Sequence, residues 1–158
     1  DEVIADVGRR EFPEVTIGRV LVDAMAARMV MRPDTIDVVI GSNLFADILT
    51  DLGAAIQGSM GLAASANLNP EREHPSLFEP VHGSAPDIAG QGKANPIGAI
   101  WSGALMLRHL GEEEAAARVE AAIARVTAAG VLTGELGGKA VTSEVGDAIA
   151  AELRSPTG

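Results

Sequence analysis

"IDVVIGSNLFADILTDLGAAIQ" (Ile36–Gln57) sets two patterns back to back. "IDVVI" (Ile36–Ile40) is a short, largely β-branched apolar run, which fits a buried strand of a parallel sheet. "GSN" then supplies a turn and a helix N-cap. "LFADILTDLGAAIQ" reads as a helix. A strand that feeds directly into a helix is the signature of an α/β fold, and in open α/β sheets functional groups gather at the carboxyl ends of strands. Asp47 and Asp51 fall at that place. Four residues apart, they share one helix face and repel each other unless something positive lies between them.

Upstream, "EVTIG" (Glu14–Gly18) reads as a strand. "RVLVDAMAARMVMRP" reads as a helix that Pro33 ends. Downstream, from Gly58 to Pro96, periodicity fades and Gly, Ser, Asn and Pro become frequent, so this stretch reads as a long loop region. Long ordered loops in compact domains are usually functional. Asn95 and Pro96 then open an almost wholly apolar helix, "IGAIWSGALMLRHL", which Gly111 closes. "EEEAAARVEAAIARVTAAG" is an amphipathic helix with an acidic first turn and Gly130 just past its end. "TGELGGKAVTS" is a Gly-rich loop, and "SEVGDAIAAEL" is a last short helix.

The composition narrows the function classes. The chain has 158 residues, 47% of them hydrophobic, so it can bury a core. A net charge of −10 argues against a nucleic-acid surface, which needs clustered Lys and Arg. The absence of Cys excludes disulfides and thiolate metal sites. There is no apolar run of about eighteen residues to span a membrane and no signal-peptide pattern. A cytoplasmic location is the default expectation.

Two constellations carry chemistry, and a third only resembles one that does. The first joins Asp47 and Asp51 to Asp23, which sits in the apolar setting "VLVDAMAA". Three converging carboxylates suit a hard divalent cation, Mg²⁺ or Mn²⁺. The plainer reading is a solvated acidic helix face. The second is "PVHGSAPD", where Gly83, Ser84 and Ala85 after His82 let backbone approach a ligand. Ser84 and backbone N–H groups suit a phosphate or ribose, and Asp87 suits ribose hydroxyls. An irregular turn with Asp87 as a local cap explains the same residues. The third, "GQGKAN", looks like a dinucleotide fingerprint but follows no strand, and it is set aside. His74, His109 and Glu112 to Glu114 read as structural or solvated.

Taken together, "VDAMA", "SNLFADILTDLG", "GSMGLAASANLNPE", "FEPVHGSAPDIAG" and "ANPIGAIWSGALML" resemble the carboxy-terminal half of a β-decarboxylating dehydrogenase. That family includes the isopropylmalate, isocitrate, tartrate and D-malate dehydrogenases. The resemblance runs from about Val20 to Leu110 and extends to "GGKAVTSEVGDAI". It implies the family's two-domain α/β fold, with a dinucleotide site unlike the Rossmann arrangement. Residues 1–57 would end the dimerisation and substrate domain, and residues 58–158 would form the last part of the cofactor domain. It implies that Asp23, Asp47 and Asp51 hold Mg²⁺ or Mn²⁺, with Asp23 reaching the site of a neighbouring subunit in a homodimer. It implies that Glu79, His82, Gly83, Ser84, Ala85, Asp87, Ile88 and Asn95 contact the cofactor. Asp87 with Ile88 resembles the members that use NAD, since a carboxylate repels a 2′-phosphate.

The family's acid–base Tyr and Lys are not among these residues. The chain has no Tyr, and neither Lys93 nor Lys139 lies in the catalytic Lys motif. The resemblance therefore implies a portion of a longer enzyme, inactive alone. Lys93 also departs from the apolar residue usual before "ANP", near the expected adenine site. "SANLNPER" and "IWSGALML" look more like the tartrate and D-malate branch than like 3-isopropylmalate dehydrogenase, which is the alternative. A non-catalytic regulatory subunit is the alternative of another class. Its mark would be lost metal carboxylates, and all three are present.

Overall fold

In the computed structural model, which describes residues 2–154, helices appear where the apolar periodicity predicts them, and one more appears at Glu2–Glu11, where the sequence reading named none. Contacts divide the chain into two compact units, one up to Leu52 and one from Gly53. Among the described residues no helix is long and apolar enough to cross a membrane.

The first unit holds α1 (Glu2–Glu11), α2 (Val22–Met31) and most of α3 (Asn43–Ile56). The α2 helix stops at Arg32, ahead of a 3₁₀ turn at Pro33–Thr35. Arg28 fixes that turn by donating from Nε to Thr35 Oγ1 at 2.7 Å and from its terminal nitrogen to the Thr35 carbonyl. Both strands expected in this unit are absent. "EVTIG" and "IDVVI" form no β ladder with any described residue. Val38 is 82% exposed, not buried as predicted. The reason is that β-branched runs favour extended backbone, but a strand exists only when a second backbone takes up its N–H and C=O groups. The α3 helix is likewise mostly exposed, with Leu49 and Ala54 as its buried side chains.

The second unit contains a ladder where the sequence predicts only loop. Strand β1 (Ala64–Asn67) pairs antiparallel with β2 (Leu77–Pro80), from Ala64 opposite Pro80 to Asn67 opposite Leu77. "ASAN" and "LFEP" have little strand propensity of their own. Packing on α4 (Ile97–His109) holds them in place. Gly98 permits that packing: a Cβ there would lie 2.9 Å from the Gly61 carbonyl oxygen and 3.0 Å from that of Ala63. Helices α5 (Glu113–Ala128) and α6 (Thr142–Arg154) complete the unit. Ile97, Ala122, Ile123, Val126, Val145 and Ile149 form its core. Arg108 on α4 grips Glu120 on α5 with two bonds of 2.9 and 2.8 Å, and Arg125 on α5 meets Glu152 on α6 at 2.7 Å.

Candidate functional site

The helical register of α3 places Asp47 and Asp51 one turn apart, and both are exposed. Asp47 accepts a hydrogen bond from Asn43 Nδ2 at 3.2 Å. The Asp51 carboxylate has no partner among the described residues, and no Lys or Arg neutralises either. The repulsion predicted from the spacing is thus left uncompensated among the described residues. Asp23 lies in the first turn of α2 and is exposed, with Oδ1 accepting from the Ala24 N–H at 2.8 Å. Among the described residues no three His, Asp or Glu side chains gather so as to hold a metal ion. One chain therefore offers two adjacent carboxylates, and it does not bring Asp23 to them.

The second candidate region runs along the connection from β2 to α4. Strand β2 presents Glu79 to solvent, and Val81 extends the ladder by donating to the Ala63 carbonyl at 3.0 Å. His82 is half-buried, with Nδ1 3.0 Å from the Gly83 carbonyl, so Nδ1 carries the proton when that bond forms. Ala85 adopts φ of 41°, a left-handed conformation that non-glycine residues seldom take. Such strain concentrates at functional loops. Two turns follow, with Ile88 N–H donating to the Ala85 carbonyl and Gln91 N–H to that of Ile88, each at 3.1 Å. Gln91 Nε2 also donates to the Asp87 carbonyl at 2.7 Å. Ser84 and the Asp87 carboxylate are exposed and have no partner among the described residues.

Asn95 is the buried member, only 5% exposed. Its Oδ1 accepts from the Ile97 N–H at 3.0 Å, but the N-cap position of α4 is Pro96, one residue later than the sequence predicts. The Asn95 Nδ2 has no partner. A buried amide donor without an acceptor is costly, so it points to an acceptor that a ligand brings.

Thr142 belongs to this region, and the sequence reading did not single it out. Its N–H donates to the Gly92 carbonyl at 2.8 Å and its Oγ1 to the Ala94 carbonyl at 2.5 Å. A Thr opening a helix reads as a cap, and nothing in the sequence shows that it reaches a segment 48 residues upstream.

The family of isocitrate/isopropylmalate dehydrogenases matches residues 1–149. A probable tartrate dehydrogenase/decarboxylase of Agrobacterium vitis is 54% identical over 149 residues, which cover 94% of this chain and 41% of that protein. A 3-isopropylmalate dehydrogenase of Nocardia farcinica is 54% identical over 143 residues, covering 90% of this chain and 41% of that protein. The crystal structure of isocitrate dehydrogenase from Methylococcus capsulatus superposes with a TM-score of 0.91 at 41% identity, covering 98% of this chain and 45% of that one. The chain thus has the isopropylmalate-dehydrogenase-like fold in part, and it spans about two fifths of the length of its curated relatives.

Proposed function

The chain belongs to the isocitrate/isopropylmalate dehydrogenase family, and from that premise we propose that it supplies the metal carboxylates and the cofactor loop of an NAD-dependent β-decarboxylating dehydrogenase. The reaction is oxidation of the hydroxyl of a malate-type 2-hydroxy acid to a ketone, followed by loss of the β-carboxylate as CO₂. The observation that carries this reading is the 54% identity to a probable tartrate dehydrogenase/decarboxylase across 94% of the chain.

The residues fit the two groups the reaction needs. Asp47 and Asp51 form an exposed, unneutralised carboxylate pair, which suits Mg²⁺ or Mn²⁺. Asp23 of a second copy completes the set in a homodimer. The unpaired Nδ2 of Asn95 suits a ring nitrogen of adenine, and the free Asp87 carboxylate suits the ribose hydroxyls of NAD. When bound, the cation supplies Lewis-acid polarisation and the dinucleotide supplies a hydride acceptor. The acid–base Tyr and Lys of the family are not among these residues, since the chain has no Tyr and neither Lys93 nor Lys139 lies in the catalytic Lys motif. The similarity to 3-isopropylmalate dehydrogenase keeps that substrate as the second reading.

In the catalytically complete protein, Asp47→Asn weakens Mn²⁺ binding and lowers kcat with D-malate or tartrate by at least about 100-fold. Titration of Mn²⁺ by calorimetry, alongside turnover, checks it. Unchanged Mn²⁺ affinity sinks the metal assignment. A panel of tartrate, D-malate and 3-isopropylmalate decides between the two substrate readings.

A further inference from the structure

Glu135 sits in the connection between α5 and α6 and reaches far from its own place in the sequence. Its Oε1 accepts from the Ser59 hydroxyl at 2.7 Å, across 76 residues. Both residues belong to the second unit. The connection that carries Glu135 is tied to itself. The Thr133 carbonyl accepts from the N–H groups of Leu136 and Gly138 at 3.1 and 3.0 Å, and the Leu132 carbonyl accepts from that of Ala140 at 2.9 Å. The Thr133 side chain is buried beneath them. An exposed carboxylate thus stands on a fixed base.

The bond continues toward Asn95. Ser59 Oγ gives its proton to Glu135 and accepts from the Gly61 N–H at 2.8 Å. That second bond caps the 3₁₀ turn Met60–Leu62, so Glu135 sets which way the cap faces. Gly61 in turn lies against the Asn95 side chain. A Cβ on Gly61 would fall 2.9 Å from Asn95 Cβ and would also meet Glu135 Oε1. The backbone beside Asn95 is held as well, because Thr142 Oγ1 donates to the Ala94 carbonyl at 2.5 Å. Both holds come from one part of the fold, Glu135 in the α5–α6 connection and Thr142 at the start of α6. The buried Asn95 Nδ2 is the group they fix, and it has no acceptor. A donor held in place before the ligand arrives loses less freedom on binding.

We propose that Glu135 is a positioning residue for cofactor binding, which acts through Ser59 and Gly61 to keep the Asn95 amide donor in place. This rests on the reading of Asn95 as a cofactor contact. The two parts of the Glu135 side chain then have opposite signs. Its charge repels an anionic nucleotide, whereas its hydrogen bond favours the nucleotide by holding Asn95. Loss of the charge alone tightens the nucleotide, and loss of the bond loosens it.

Calorimetric titration with 5′-AMP and steady-state kinetics, both on the complete protein, test this. Asn95→Asp keeps the oxygen that accepts from the Ile97 N–H but loses the free donor, and it weakens 5′-AMP about ten-fold. Glu135→Ala weakens 5′-AMP and raises KM for NAD⁺ about five-fold, with kcat unchanged. Glu135→Gln keeps an acceptor for Ser59 and binds 5′-AMP at least as tightly as the parent. In the Asn95→Asp background, Glu135→Ala causes no further loss, because the two changes act on one donor. A Glu135→Ala variant with parental affinity, a Glu135→Gln variant as weak as Glu135→Ala, or an equal loss in the Asn95→Asp background overturns the positioning role and leaves the cofactor reading standing. Unchanged 5′-AMP affinity in Asn95→Asp itself overturns the reading of Asn95 and this proposal with it.

Discussion

Val38 lies just before α3 and Val145 lies in α6, and the two residues meet opposite circumstances. Val38 is 82% exposed, with Ile40 beside it at 67%, whereas Val145 is 1% exposed, near Ile149 at 2%. The difference lies in what each backbone needs. A helix satisfies its own N–H and C=O groups, so α4, α5 and α6 bury apolar faces against one another without outside help. A strand satisfies them on its neighbours, and "IDVVI" meets no neighbouring strand among the described residues. Its apolar side chains then have no surface to pack on. The lesson is that hydrophobic pattern states a demand for burial, while the element type decides whether the demand is met locally.

Core truncation tests that contrast most strongly. Ile149→Ala leaves a cavity in the second unit and lowers unfolding free energy by about 2–5 kcal/mol. Val38→Ala removes exposed atoms and changes it by less than about 0.5 kcal/mol. Urea denaturation of both variants checks the pair, and similar losses would mean that the first unit is packed after all. A smaller effect sharpens the comparison at Gly98. There Ala places a Cβ within 3.0 Å of two backbone oxygens, and backbone retreats less readily than a side-chain end. Gly98→Ala destabilises by about 1–3 kcal/mol, and a neutral or stabilised Gly98→Ala variant breaks the claim that α4 and the β1–β2 ladder need this close approach.

These contrasts show what could be read from sequence. Helices α2 to α6 were legible because their apolar stripes and stops are local, with Pro33 after α2 and Gly130 after α5, whereas α1 was not read from the sequence. The β1–β2 ladder was not, since Ala, Ser, Asn and Pro take their strand conformation there from packing on α4. "IDVVI" misled in the other direction, as its propensity is real but it pairs with no strand among the described residues. The acidic pair was legible from a four-residue spacing, and the structure leaves it exposed and unneutralised. Asn95 was read first as a cap, and only the fold shows that its other amide atom is buried without a partner. Thr142 was invisible because its partners lie 48 and 50 residues away in sequence, at Ala94 and Gly92.

The weakest expected effect concerns the ion pairs that lace the helices of the second unit. Arg108 forms a forked pair with Glu120, and the Trp101 indole N–H adds a bond to the same carboxylate at 3.4 Å. The hydrogen bonds from Arg108 are the largest cause holding the Glu120 carboxyl below its ordinary value of 4.5. A carboxylate whose pKa is depressed on folding contributes stability that is fully present above its unfolded value and is lost as pH falls through its folded one. The Glu120 side chain is still 31% exposed and that of Arg108 40%, so solvent and salt screen the pair. Glu120→Gln therefore lowers the thermal midpoint slightly at neutral pH, and the gap to the parent closes on acidification below 4.5 and on addition of salt. Thermal melts across pH check this. A gap that persists in acid would assign the loss to Glu120 packing against Trp101 and not to its charge, and the helices would then be joined by shape alone.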